Sequence, residues 1–193
     1  MLLCHACNPN KLDLEKLQIY IQDEDNGVVK AWEDKLHSIK VSYIPSDIII
    51  QQEVKNKNIS NDSLDNLINR YHNYYYFNME LSYNDNEMIN KFLYDQNRYG
   101  RAIEDLSFNM VRYVDLTTNN NDTIPLLHSQ FTRYYGVTHN NSVQLVFKNT
   151  GIKNAKTINI NLNGHFLELN DHVFVFNKQD MDNVPGLKFI VNE

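Results

Sequence analysis

Four stretches of this 193-residue chain combine side chains able to do chemistry. The first, QDEDNGVVKAWE from Gln22 to Glu33, approaches a twelve-residue calcium loop. Glu24, Asn26 and Glu33 stand at its third, fifth and twelfth positions, and Gly27 at the sharp turn. Gln22 replaces the first aspartate, however, and Lys30 puts a cation at the ninth position, so an acidic turn is the expected state. The second stretch, GHFLELNDH, holds His165, Glu168 and His172. Read as a hairpin about Asn170-Asp171, it sets the two imidazoles about 13 Å apart, too far for one ion, at about 3.3 Å per residue. The third feature is two acidic couples. Asp85/Glu87 is expected in a helix's first turn, where carboxylates favour the dipole, and Glu104/Asp105 before a strand. The fourth is Cys4-x-x-Cys7, which needs two further ligands to hold zinc, or a strand–helix frame to run redox chemistry. With six glycines in the chain, none frames a nucleophilic serine or a phosphate-cradling loop. The expectation is a non-catalytic protein with no metal and no cofactor.

A different kind of site is suggested by RYHNYYYFNMELSY, Arg70 to Tyr83, which carries five tyrosines. A strand turns successive side chains to opposite faces. Over Tyr74–Tyr83 one face is then Tyr75, Phe77, Met79, Leu81 and Tyr83, apolar throughout and expected in the core. The other begins Tyr74, Tyr76, Asn78, Glu80, half aromatic and half polar, and is the candidate face for a glycan or protein partner. Packing explains most of the run, because tyrosine is favoured on strands and cross-strand aromatic pairs stabilise a sheet.

The first residues, MLLCHACNPN, place a short apolar start and the small residue Ala6 before Cys7, followed by polar Asn-Pro-Asn. This resembles the end of a bacterial lipoprotein signal. The resemblance implies that Cys7 carries a lipid, that the mature chain starts there, and that the protein contacts a membrane through that anchor at the bacterial cell envelope. His5 and Cys4 depart from the pattern, and the basic region and most of the apolar region of a full signal are missing. The alternative is a cytoplasmic chain with two incidental cysteines.

Composition sets the class of object that must position these residues. Apolar residues make up 42% and charged residues 22%, a globular balance. The formal charge of −6, with no basic stripe, argues against a nucleic-acid partner. Twenty-nine asparagines cluster in runs such as TTNNNDT and THNNS, and such runs mark loops. The periodicity predicts strands at 39–44, 47–54, 74–83, 106–116, 142–148, 156–162, 165–169 and 172–176. Helical spacing appears at 60–72, through Leu64, Leu67, Ile68 and Tyr71, and at 84–97, through Met88, Ile89, Phe92 and Leu93. The predicted organisation is a lipidation remnant at 1–7, an N-terminal arm at 8–38 and a mainly β domain at 39–193. The fold expected is an antiparallel β-sandwich-like domain with two short helices inserted; an α+β sheet with helices on one face is the second choice. The function expected is binding or assembly at the envelope. The alternatives are an envelope enzyme acting on glycans and a cytosolic interaction module.

Overall fold

The computed structural model of the protein describes residues 11–55, 57–134, 137–152, 154–163 and 165–190. Cys4 and Cys7 lie outside them. The described residues form two antiparallel sheets with helices. The chain runs α1 (Leu14–Gln22), β1 (Val29–Glu33), β2 (His37–Ile44), α2 (Ser46–Val54), α3 (Asn61–Tyr71), β3 (Tyr74–Tyr83) and β4 (Asn86–Glu87). It continues through α4 (Gln96–Glu104), β5 (Val114–Thr118), β6 (Thr123–Pro125), β7 (His128–Thr132), β8 (Asn141–Lys148), β9 (Thr157–Leu162), β10 (His172–Asn177) and α5 (Lys178–Asp182). The larger sheet has the order β1-β2-β3-β8-β7, with β4 on the end of β3; the smaller has β10-β9-β5-β6.

The sheets meet through the apolar faces that alternation defines. Phe77, Met79 and Leu81 of β3 and Val143, Leu145 and Phe147 of β8 have no solvent exposure, nor do Ile158 and Ile160 of β9. Phe77 sits at the junction, with ring centroids 5.2 Å from Phe176 of the opposite sheet, 6.0 Å from Phe147 and 5.7 Å from Tyr43. Burying one such ring stabilises the fold by about 1.5–3 kcal/mol relative to leaving it exposed. The domain is thus mainly β and sandwich-like, as the alternation predicts.

Several elements differ from the sequence reading. The stretch 8–38, predicted as an arm, is built into the body from Lys11 on: Leu17 of α1 and Val28 are fully buried, and β1 is an edge strand. Residues 47–54 form a helix, not a strand. Three successive isoleucines favour β structure locally, but Ile48, Ile50, Gln51 and Val54 are the buried positions, which is helical spacing. Residues 84–87 are no helix. Asn84 and Asp85, at φ 50° and 56°, make the two-residue turn between β3 and β4. Glu87 is buried and accepts from Asn141 Nδ2 at 3.3 Å. Further on, Met88, Ile89 and Phe92 are buried in a short 3-10 helix, while Leu93 faces solvent.

The run 106–116 keeps a strand only from Val114. Its first part is a π-helical turn, Asp105–Asn109, and a 3-10 turn, Met110–Arg112. Leu106 and Met110 are fully buried and Phe108 is 79% exposed, so the apolar positions repeat every four residues and not every two. Residues 165–169 do not pair with β10, which pairs with β9 instead (His172 opposite Leu162). Leu167 and Glu168 are both left-handed, at φ 51° and 58°. Their carbonyls accept from Lys91 Nζ at 3.2 and 3.5 Å, and the Glu168 carboxylate pairs with Arg98.

The two kinds of phenylalanine separate the readings of 106–116. Phe77→Ala is expected to cost about 3–5 kcal/mol in urea unfolding, as a large core truncation does. Phe108→Ala is expected to stay within about 0.5 kcal/mol of the parent. A Phe108 variant as damaging as the Phe77 variant would return that stretch to the core strand its alternation suggests.

Candidate functional site

The outer face of the larger sheet carries a polar row set by strand register. Ser42 of β2 lies opposite Asn78 of β3, Asn78 opposite Gln144 of β8, and Gln144 opposite Gln130 of β7. The neighbouring row is Lys40, Glu80, Ser142 and Thr132. Neighbouring strands stand about 4.8 Å apart, so each row sets side chains at that interval across the sheet. Ser142 Oγ donates to Asn78 Oδ1 at 2.7 Å, and Asn78 Nδ2 donates to Glu80 Oε1 at 3.1 Å, which fixes the orientation of Asn78.

Two helices wall this floor. Helix α1 packs on β2 by burying Leu17 and Ile21, and turns Gln18 and Gln22 outward. Helix α2 packs on β3 and presents Ile48, Ile49 and Gln52. Between them and the sheet lies a groove of about 380 Å³. Six side-chain amides line it: Gln18, Gln22, Gln52, Asn78, Gln130 and Gln144. Ser142 and Thr132 add hydroxyls, Ile21, Ile44, Ile48 and Ile49 an apolar wall, and Tyr134 a ring 41% exposed to solvent. Among the described residues none of the lining side chains is charged. The volume falls within the range of small-molecule sites, roughly 300–1,000 Å³.

Of the residues singled out in sequence, the structure brings Asn78 into this groove, with Glu80 beside it as its hydrogen-bond acceptor. Tyr76 is elsewhere. It is 5% exposed and lies under α3, its ring stacked 6.3 Å from Tyr71, whose hydroxyl donates to the Glu53 carboxylate. Burial pushes the Tyr76 phenol well above its ordinary range. Tyr76 therefore packs and cannot stack on a ligand. Tyr74 is half-buried beyond it and borders a different depression, with Asn73, Lys148 and Asn149. The glutamines were missed in sequence because they come from α1, α2, β7 and β8. Alternation along 142–148 sets Val143, Leu145 and Phe147 on one face, but nothing in it brings Gln144 together with the other amides.

The other candidates resolve differently. In the acidic loop Gly27 is left-handed (φ 73°), as the turn requires, but Val29–Glu33 is a strand. Glu33 is thereby carried away from Glu24 and cannot close a calcium site. Among the described residues no group of three acidic, histidine or cysteine side chains is placed to hold a metal. Glu33, Asp34 and Asp85 share a small depression of about 140 Å³. Asp34 there accepts from the Leu36 and His37 amides at 2.8 and 2.7 Å, and these bonds hold its carboxyl below the usual range. It stays ionised and suits a structural role more than that of a general acid.

His172 is the most informative titrating group. Its ring lies 4.1 Å from the Trp32 indole, and its buried Nε2 has no partner among the described residues. Burial lowers its pKa below 6.5, against the opposing pull of the Asp171 and Asp34 carboxylates. No known family matches the chain, and no curated protein or solved structure is significantly similar to it.

The His172 shift gives a signed pH dependence. The unfolded imidazole takes up its proton as pH falls below about 6.5, while the folded one resists, so stability is full above that pH and declines below it. Urea midpoints measured from pH 7.5 to 5 should fall over the acidic half. His172→Phe, which keeps an aromatic ring against Trp32, should flatten that part of the curve. An identical decline in both proteins would assign the pH dependence to other groups.

Proposed function

We propose that this protein is a non-catalytic binding or assembly domain of the bacterial cell envelope, held at the membrane by a lipid on Cys7. The amide-lined groove is its contact surface. The observation that carries the binding role is the chemistry of that lining. Carboxamides and hydroxyls donate and accept hydrogen bonds, but they neither take up nor release protons near neutral pH. A groove built from them holds a ligand and leaves it unchanged. Glycoside hydrolysis, by contrast, needs two carboxyl groups about 5–10 Å apart, and among the described residues the lining contributes none.

The tether is supported by the signal-like start, and the bonds of Leu12 and Asp13 set where the body begins. Leu12 donates to the Gly186 carbonyl at 2.8 Å and accepts from the Lys188 amide at 2.9 Å. Asp13 pairs with Lys188 at 3.7 Å. Five residues from Cys7 to Leu12 reach at most about 18 Å when extended. A lipid on Cys7 would therefore hold the body close to the bilayer surface. Among the described residues no helix is long and apolar enough to cross a membrane, so the lipid would supply the membrane contact.

Mass spectrometry of the protein made in its native host tests the anchor. The expected result is a chain beginning at Cys7 with a diacyl or triacyl modification, and Cys7→Ser should move the protein from the membrane to the soluble fraction. A natively produced chain that keeps Met1 and an unmodified Cys7 would overturn the envelope reading and favour the cytosolic one.

A further inference from the structure

We infer that the groove between α1 and α2 takes an uncharged carbohydrate, with its hydroxyls on the amide row and its C–H face against Tyr134. This deepens the binding reading and rests on it, though not on the lipid. Charge decides first. Among the described residues no charged side chain lines the groove, and a bound phosphate, carboxylate or ammonium would be desolvated with no counter-ion there. Glu80 and Lys40 are cross-strand neighbours in the adjoining row and face each other there. Glu80 already accepts from Asn78. The ligand is therefore neutral.

Polarity decides next. Among the described residues, no protein group hydrogen-bonds the side-chain amides of Gln18, Gln22, Gln52, Gln130 or Gln144. An apolar ligand would strip water from these groups and return nothing, at a cost of about 1–3 kcal/mol for each one left unpaired. A sugar answers them, because every hydroxyl both donates and accepts, as every carboxamide does. Asn78, Gln144 and Gln130 stand about one strand spacing apart, so adjacent hydroxyls of one ring, or of linked rings, can meet successive amides. The isoleucine wall and the Tyr134 ring suit the less polar face of a pyranose, since an aromatic ring offers large area at low entropic cost.

Backbone geometry weighs against an extended peptide, the other neutral polymer. Peptides gain much of their affinity by adding a strand to an open sheet edge. The floor here is laid on the faces of β3, β8 and β7. The central strands β3 and β8 are each paired on both sides, so their backbone groups are already bonded in the sheet plane, and β7, at the sheet edge, meets the groove through Gln130 and Thr132 on the same face.

The experiment follows the glutamine and asparagine side-chain NH₂ resonances of the ¹⁵N-labelled full chain. It is titrated separately with neutral hexasaccharides (cello-, malto-, manno- and N-acetylchitohexaose), with a sulfated oligosaccharide, and with a pool of uncharged hexapeptides. The expected result is saturable shifts of the groove amides with at least one neutral sugar. The affinity should weaken at least about tenfold in Gln130→Ala/Gln144→Ala, the effect of losing one or two hydrogen bonds, with an unchanged melting temperature. Tyr134→Ala should weaken it by a similar factor. Groove shifts with the peptides and none with the sugars would overturn the carbohydrate class and leave the binding reading standing. Shifts with the sulfated sugar alone would overturn the neutrality on which the class depends. Silence of the groove amides towards every probe would remove the groove from the binding reading as well.

Discussion

Strand β3 is committed on all four sides, and the rest of the structure is arranged around that constraint. Its backbone is bonded to β2 on one edge and β8 on the other. Its inner face, through Phe77, Met79 and Leu81, closes the core against the second sheet. Its outer face supplies Tyr76 to the helical layer and Asn78 to the groove. A slip of one residue would exchange the two faces, burying Asn78 and Glu80 and exposing three fully buried apolar side chains. The cost of that exchange in lost apolar burial and unpaired polar groups exceeds what any outer-face contact could return. The register that places the amide row is therefore held by the core.

The helical layer explains why the outer face is apolar at one end and polar at the other. Near Tyr76 it is covered by α2, and α2 by α3, through a small second cluster of Ile50, Val54 and Leu64. Over β2 it is covered by α1. The two helices do not meet over Asn78 and Gln144, and there the sheet shows amides and hydroxyls. Side chains that meet water tolerate polarity, and those beneath a helix do not. The composition of each strand's outer positions thus follows the footprint of the helices.

Period-two alternation made much of this legible. The limits of β3, the inward set on β8 and the inward set on β9 were all readable from residue order, because a half-buried strand in an antiparallel sheet imprints its two environments directly. The failures have physical causes. In α2, three isoleucines in succession fill both buried and groove-lining positions, so the helix hides inside a β-like run. At Leu106 and Met110, helical spacing sits within an accidental alternation with Phe108. At Leu167 and Glu168, two left-handed residues break a strand pattern that is otherwise well formed. Lys91, 76 and 77 residues upstream, satisfies their carbonyls, and no local pattern records it. The groove belongs to the same class. It draws its amides from four elements whose meeting is decided by topology, and glutamine carries no periodic signal of its own.

Electrostatics divides the molecule into two regimes. The Trp32–His172 contact joins β1 to β10, with Asp34 and Asp171 acting on the imidazole. Its response to acid is felt as stability, because the group is desolvated and its charged form is resisted. The groove lies on the far side of the larger sheet, and its amide row carries no ionisable group. Carboxamides keep one pattern of donors and acceptors from acid to mild base, and a neutral contact is little affected by salt. Recognition there depends on the geometry of the row and not on the state of the solvent, provided the core beneath holds β3 in register. Acid acts on the groove through the fold, by way of the layer in which His172 sits.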